Sequence, residues 1–184
     1  MQFPYGEGVI FLLTMITWAQ RHPSARLFIL LSLAWLIGRI VDSLIIGEVV
    51  WQINYARLAV ILVFWFWARR KAEGCVLAFS LSLLSLVLMD LFLVNEPGIL
   101  LFEKWISAGL CFVVARLAAA TYWEMAAAVA GSMLINQGLI MFFFGGIVSY
   151  VAIPDGFLWN FGVLALTLQG LIRYVRLGGV EHFN

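Results

Sequence analysis

The chain has 184 residues and a formal net charge of +1; 64% of it is hydrophobic, only 11% is charged, and the mean hydropathy is +1.03. Soluble domains carry about 25% charged residues, so this composition excludes an ordinary soluble domain, and the near-zero net charge lacks the basic footprint of a nucleic-acid-binding protein. Repeated apolar runs approach the length needed to cross a hydrocarbon layer of about 30 Å, without the alternating segments of about ten residues that a transmembrane barrel requires. They predict an all-α polytopic membrane bundle, one transmembrane domain over residues 1–184.

Seven spans follow in chain order. The opening stretch MQFPYGEGVIFLL lacks the basic start and small-residue cleavage site of a signal peptide, so its apolar run is read as a retained first span, 8–19. Gln20-Arg21-His22-Pro23-Ser24 closes it, because Pro23 does not continue a helix comfortably. The second span, 27–46, ends at Gly47-Glu48, and the third, 51–67, stops at Arg69-Arg70-Lys71. The fourth, 75–94, ends at Asn95-Glu96-Pro97-Gly98. At about 1.5 Å per residue, 100–150 is too long for one crossing. The polar break Thr121-Tyr122-Trp123-Glu124 divides it into spans over 101–120 and 125–150. Pro154-Asp155-Gly156 signals a turn before the seventh span, 157–175.

Basic residues near span ends set orientation. Arg21, Arg26, Arg69, Arg70, Lys71, Arg116, Arg173 and Arg176 fall on one side, and Lys104 with Glu7, Glu48, Glu96, Glu103 and Asp155 on the other. This predicts an outside N-terminus and a cytoplasmic C-terminus in a multi-pass cell-membrane protein. Trp51, Trp105 and Trp159 fall at the outer boundary and Trp18, Trp67 and Trp123 at the inner one, as interfacial anchors do; Trp35, in mid-span, reads as packing. In the sixth span Ala127 and Gly131 have the four-residue spacing that lets helix backbones approach closely. A central packing helix is favoured there over a hinge at Gly145-Gly146. Cys75 and Cys111 lie at different depths, beyond the roughly 7 Å reach of a disulfide, and read as buried apolar residues.

A charge in hydrocarbon needs a partner, a cavity or a function. Arg39, Asp42, Arg57 and Asp90 all fall in the outer half of the bilayer on spans two, three and four, and form a candidate intramembrane polar cluster. Arg39 and Asp42 are also i,i+3 neighbours on one helix face. The cluster is either a structural ion-pair network, the favoured reading, or the lining of an outward cavity for a small ion, an anionic solute or a proton. Asn136, Gln137 and Gln169 form a deeper set suited to interhelical hydrogen bonds. Glu103-Lys104 reads as a solvated boundary pair, and Ser80, Ser82 and Ser85 as bonded to backbone or to a neighbouring helix.

His22 and His182 lie outside the spans, so the spans hold no histidine for haem or metal. Lys71 and Lys104 sit near span ends, which excludes a Schiff base in the seventh span. No H-E-x-x-H, G-x-S-x-G, Walker A or dinucleotide fingerprint is present. An aspartyl enzyme built on Asp42 and Asp90 has no flanking motif. No cofactor, metal or catalysis is therefore expected.

Trp105 opening one helix, Glu124 ahead of small apolar residues opening the next, Gly138-Leu139-Ile140 in its middle and Gly156-Phe157-Leu158 before the last span form an ordered set. In these the C-terminal half resembles the YphA-type membrane proteins of endospore-forming Firmicutes. The resemblance implies a multi-span protein linked to sporulation or envelope assembly and carries no catalytic residues. The leading expectation is a non-enzymatic scaffold or assembly factor, whose partners are the lipid bilayer and other membrane proteins or further copies of itself. The alternative is a small-solute or ion transporter, or the substrate-binding membrane subunit of one, using the outer polar cluster.

Overall fold

The computed structural model of the protein describes residues 5–45, 52–95, 102–144 and 152–176. Within them the chain is all-α apart from one pair of two-residue strands. Seven helices follow in order: α1 (Tyr5–Ala19), α2 (Ala25–Leu44), α3 (Tyr55–Lys71), α4 (Val76–Asn95), α5 (Glu103–Ala118), α6 (Tyr122–Phe144) and α7 (Gly156–Arg176). Strands β1 (Gln52–Ile53) and β2 (Ala152–Ile153) pair in parallel. The Asn54 N–H extends the pair by donating to the Ile153 carbonyl at 2.7 Å.

Among the described residues three segments, rather than the seven expected, are long and apolar enough by length and composition to cross a membrane: Ala25–Leu44, Val76–Leu93 and Tyr122–Phe143. Helix α1 is apolar but shorter. The outside of the bundle is apolar. On α4, for example, Val76, Leu77, Leu81, Leu84, Leu88 and Leu91 are all exposed. Contiguous apolar surface of this kind is unusual on a soluble monomer and suits a chain whose surroundings are lipid.

Small residues fill the inside. Ala126, Ala127, Ala128 and Val129 on α6 are fully buried, together with Ala108 and Ala115 on α5 and Ser82 on α4. Helix α6 packs against α3, α4, α5 and α7, so it is the central helix that its small residues predict. Gly131 admits a side chain, the Trp65 indole, rather than a neighbouring backbone. The close backbone approach occurs instead at Gly38 on α2, where a Cβ would collide with the Ala56 backbone of α3.

The helix ends have local causes. Thr121 and Glu124 form a capping box. The Glu124 N–H donates to Thr121 Oγ1 at 3.2 Å, and Glu124 Oε2 accepts from the Ala120 N–H at 2.9 Å. The polar break in 100–150 is thus the start of α6. Asn54 caps α3 by accepting from the Arg57 N–H at 3.0 Å. Asp155 caps α7 by accepting from the N–H groups of Phe157 at 2.7 Å and Leu158 at 3.1 Å.

Several boundaries move. Helix α1 begins at Tyr5, earlier than 8, and takes Glu7 into its first turn. Helix α3 runs four residues later than 51–67, because Gln52–Ile53 is strand, Asn54 is the cap, and Arg69, Arg70 and Lys71 are its last turn. The loop signals Gly47-Glu48 and Glu96-Pro97-Gly98, together with Trp51, Gly145-Gly146 and His182, lie outside the described residues.

The N-terminal ends of α1, α3, α5 and α7 gather at one end of the bundle, joined by β1–β2, by a Gly6 to Asn160 hydrogen bond and by two ion pairs. This is termed the strand end. The opposite end, the basic end, carries the α1–α2 turn, the last turn of α3, the start of α6 and the tail of α7.

Candidate functional site

The polar groups of the strand end resolve into separate pairs. Arg39 Nη1 lies 3.6 Å from Asp42 Oδ2 one turn away on α2. The other oxygen of Asp42 accepts the Tyr55 N–H at 2.8 Å, which gives the first turn of α3 a side-chain acceptor from α2. Arg57 pairs with Glu7 of α1 rather than with Asp90: Nε donates to Oε1 at 2.8 Å, with both side chains largely buried. Asp90 accepts a 2.7 Å hydrogen bond from Asn136 of α6.

The expected three-helix neighbourhood differs for a packing reason. Helix α2 lies on α3, but α6 packs against both α3 and α4, and α4 belongs with α5 and α6. Asp90 therefore meets α6 instead of α3.

Asn136 is thus an interhelical hydrogen-bond donor. Gln137 is buried on the same helix, and Gln169 is half-buried on α7. Lys104 turns from Glu103 to Asp155, at 3.1 Å. Ser82 and Ser85 bond their own helix, to the carbonyls of Ala78 and Ser82 at 2.6 and 2.8 Å. Cys75 and Cys111 are free and buried.

Two residues escaped the sequence reading. Glu7 is not an outer loop acid: it sits in the first turn of α1, and an acid at the start of an apolar helix is its signal. Asn160 has no such flag: it accepts the Gly6 N–H at 2.9 Å and ties α7 to α1. Trp159 corrects an expectation. It is 2% exposed and packs against Gly6, so it is a core residue and not an interfacial anchor. Trp105 and Trp18 remain exposed, at 57% and 71%. Trp35 meets Phe11 edge-on at 5.1 Å between ring centres, in keeping with packing.

The open space lies elsewhere. A cavity of about 340 Å³ runs between α1, α2, α3, α6 and α7, walled by Ile10, Leu31, Val60, Phe64, Met133 and Leu166 among others. Toward the basic end its lining turns polar, with Gln20, His22, Ser24, Tyr122 and Tyr174. A second, wider space of about 890 Å³ adjoins it there, lined by Arg21, Arg26, Lys71, Trp18, Trp67 and Trp123. Lys71 Nζ sits over two of these indoles, 5.8 Å from Trp67 and 5.2 Å from Trp123. Neither space is lined by Arg39, Asp42, Arg57 or Asp90.

Among the described residues no group of three or more His, Cys, Asp or Glu is placed to hold a metal ion. Comparison with protein-family models, curated proteins and solved structures finds no match to the chain.

Proposed function

We propose that the chain is a seven-span integral membrane protein of a bacterial cell membrane, N-terminus outside and C-terminus cytoplasmic. In this reading it works without catalysis, as a scaffold or assembly factor. The observation that carries the proposal is that its intramembrane polar groups meet neighbouring side chains: Arg57 with Glu7 at 2.8 Å, Asp90 with Asn136 at 2.7 Å, and the more exposed Arg39 with Asp42 at 3.6 Å. A solute-binding protein would aim some of these groups into a cavity. Here the Arg57–Glu7 and Asp90–Asn136 contacts join helices, and Asp42, paired with Arg39 on α2, also reaches the α3 backbone, as suits a rigid bundle meeting partners through its flanks.

The segregation of charge supports the orientation. Arg21, Arg26 and Lys71 surround the basic end, while Glu7, Glu103 and Asp155 sit at the strand end. By the positive-inside rule the basic end faces the cytoplasm. The sporulation or envelope-assembly setting implied by the YphA-type resemblance belongs to the same proposal.

Crosslinking in native membranes tests it. A scaffold yields one defined adduct, with a second membrane protein or a second copy, that survives in the Asp90→Asn variant. Adducts spread over unrelated membrane proteins in proportion to their abundance would overturn the reading.

A further inference from the structure

Folded interiors leave few voids larger than a water molecule, and a void walled by aliphatic and aromatic groups is not filled by water. The cavity between α1, α2, α3, α6 and α7 has such walls over its apolar stretch, around Ile10, Leu31, Val60, Met133 and Leu166, and opens toward the basic end. Its lining follows α1 from Ile10 to Thr17, about 10 Å at the helical rise, and continues to Gln20 beyond the helix, so it is long as well as largely apolar. That shape suits a hydrocarbon chain.

What lies at its mouth selects the rest of the ligand. His22, Ser24, Leu27 and Trp123 line both the cavity and the wider space at the basic end, so the two adjoin. Among the described residues the wider space is lined by three cations, Arg21, Arg26 and Lys71, and by no carboxylate. Arginine and lysine at a membrane surface attract anionic headgroups, and arginine matches phosphate oxygens with paired donors. We propose that these two spaces form one site for an anionic lipid, with a hydrocarbon chain in the cavity and the phosphate among Arg21, Arg26 and Lys71. A lipid without net negative charge would be drawn less strongly to this basic rim, and a free phosphate would leave the cavity unfilled.

The backbone at Arg21 adds an independent observation. Helix α1 ends in a Schellman turn: the Arg21 N–H donates to the Trp18 carbonyl at 3.0 Å, and the His22 N–H to the Thr17 carbonyl at 2.8 Å. The residue at this corner is left-handed, and Arg21 has φ of 51°. Glycine is the usual occupant because it has no Cβ to strain. An arginine held there against its backbone preference places a cation at the rim of the site.

The experiment follows from that corner. Native mass spectrometry of the full chain in detergent would titrate dioleoylphosphatidylglycerol, dioleoylphosphatidylcholine and glycerol 3-phosphate, with thermal unfolding run alongside. The wild type should bind one phosphatidylglycerol at least about fivefold more tightly than phosphatidylcholine. Arg21→Gly should weaken phosphatidylglycerol by about fivefold while the melting temperature holds or rises, an outcome a merely structural arginine would not produce.

Gly162→Leu tests the chain end of the site. Gly162 lines the cavity, and a Cβ there would meet only Met133 sulfur and methyl at ordinary contact, 3.6 and 3.7 Å. A leucine should fill the cavity and abolish tight binding with every cation in place. Equal binding of the two lipids, an Arg21→Gly variant that keeps its preference, or displacement of the lipid by equimolar glycerol 3-phosphate would overturn the proposal. Should Gly162→Leu fail to fold, the lipid comparison and Arg21→Gly decide alone.

Discussion

Arg57 on α3 donates its Nε to the Glu7 carboxylate on α1 across 2.8 Å, fastening two helices that are not sequential neighbours. Their side chains are only 15% and 11% exposed, so neither charge has much recourse to solvent. Replacing one partner strands the other. Glu7→Leu or Arg57→Leu should each cost about 3–5 kcal/mol, whereas the double replacement should recover most of the loss. Thermal unfolding of the purified variants in detergent checks this, and a double variant no better than the singles would remove the structural role assigned to the pair.

At Gly38 the α2 backbone lies against the Ala56 backbone of α3, and the next turn of α2 places Asp42 on the Tyr55 N–H. Gly38→Ala drives a methyl group into the Ala56 backbone. Overpacking of this kind costs typically about 1–3 kcal/mol, and here it should also draw Asp42 away from the start of α3. Faster amide exchange at Tyr55, alongside a lowered melting temperature, would report both effects.

Asp90 distinguishes a structural group from a working one. Its bond from Asn136 needs only an acceptor oxygen, which an asparagine amide also supplies. Asp90→Asn should therefore leave stability within about 1 kcal/mol, while Asp90→Leu strands the buried Asn136 amide at about 1–3 kcal/mol. Loss of the protein's cellular role in the Asn variant with normal folding would instead point to a need for the charge.

Orientation is read by side-selective labelling. In a background lacking Cys75 and Cys111, Lys104→Cys should react with an impermeant maleimide in intact cells. Glu73→Cys, exposed in the turn between α3 and α4, should react only after permeabilisation. The reverse pattern would invert the topology.

The helices were legible because each leaves a long apolar signature, and the break inside 100–150 because Thr121 and Glu124 have capping-box spacing. The strands were not. Trp51, Ile53 and the apolar residues after Tyr55 read as one continuous run, and a two-residue strand has no period to detect. Its partner stands a hundred residues away, beyond any local pattern. The polar residues were found, but their pairing depends on which helices touch. Chain order suggested that α3 neighbours α4, while α6 packs against both, and that placement decides the partner of Asp90. Trp159 misled for a similar reason: the residue that makes room for its indole, Gly6, is on α1.

The parallel pairing of β1 with β2 also fixes an order of events. Its second strand follows α6, and the Asn160 and Asp155 contacts to α1 and α5 come with α7. Domains emerge from the ribosome N-terminus first, so a chain stalled before Ala152 holds six helices whose strand end is unclosed. Until α7 arrives, the Gly6 N–H, Lys104 and the Asn54 N–H lack the partners they have in the finished bundle. Residues from Ala152 to Asn160 thus complete the strand end, because the contacts they make to α1, to α5 and to the start of α3 form only once that segment has been made.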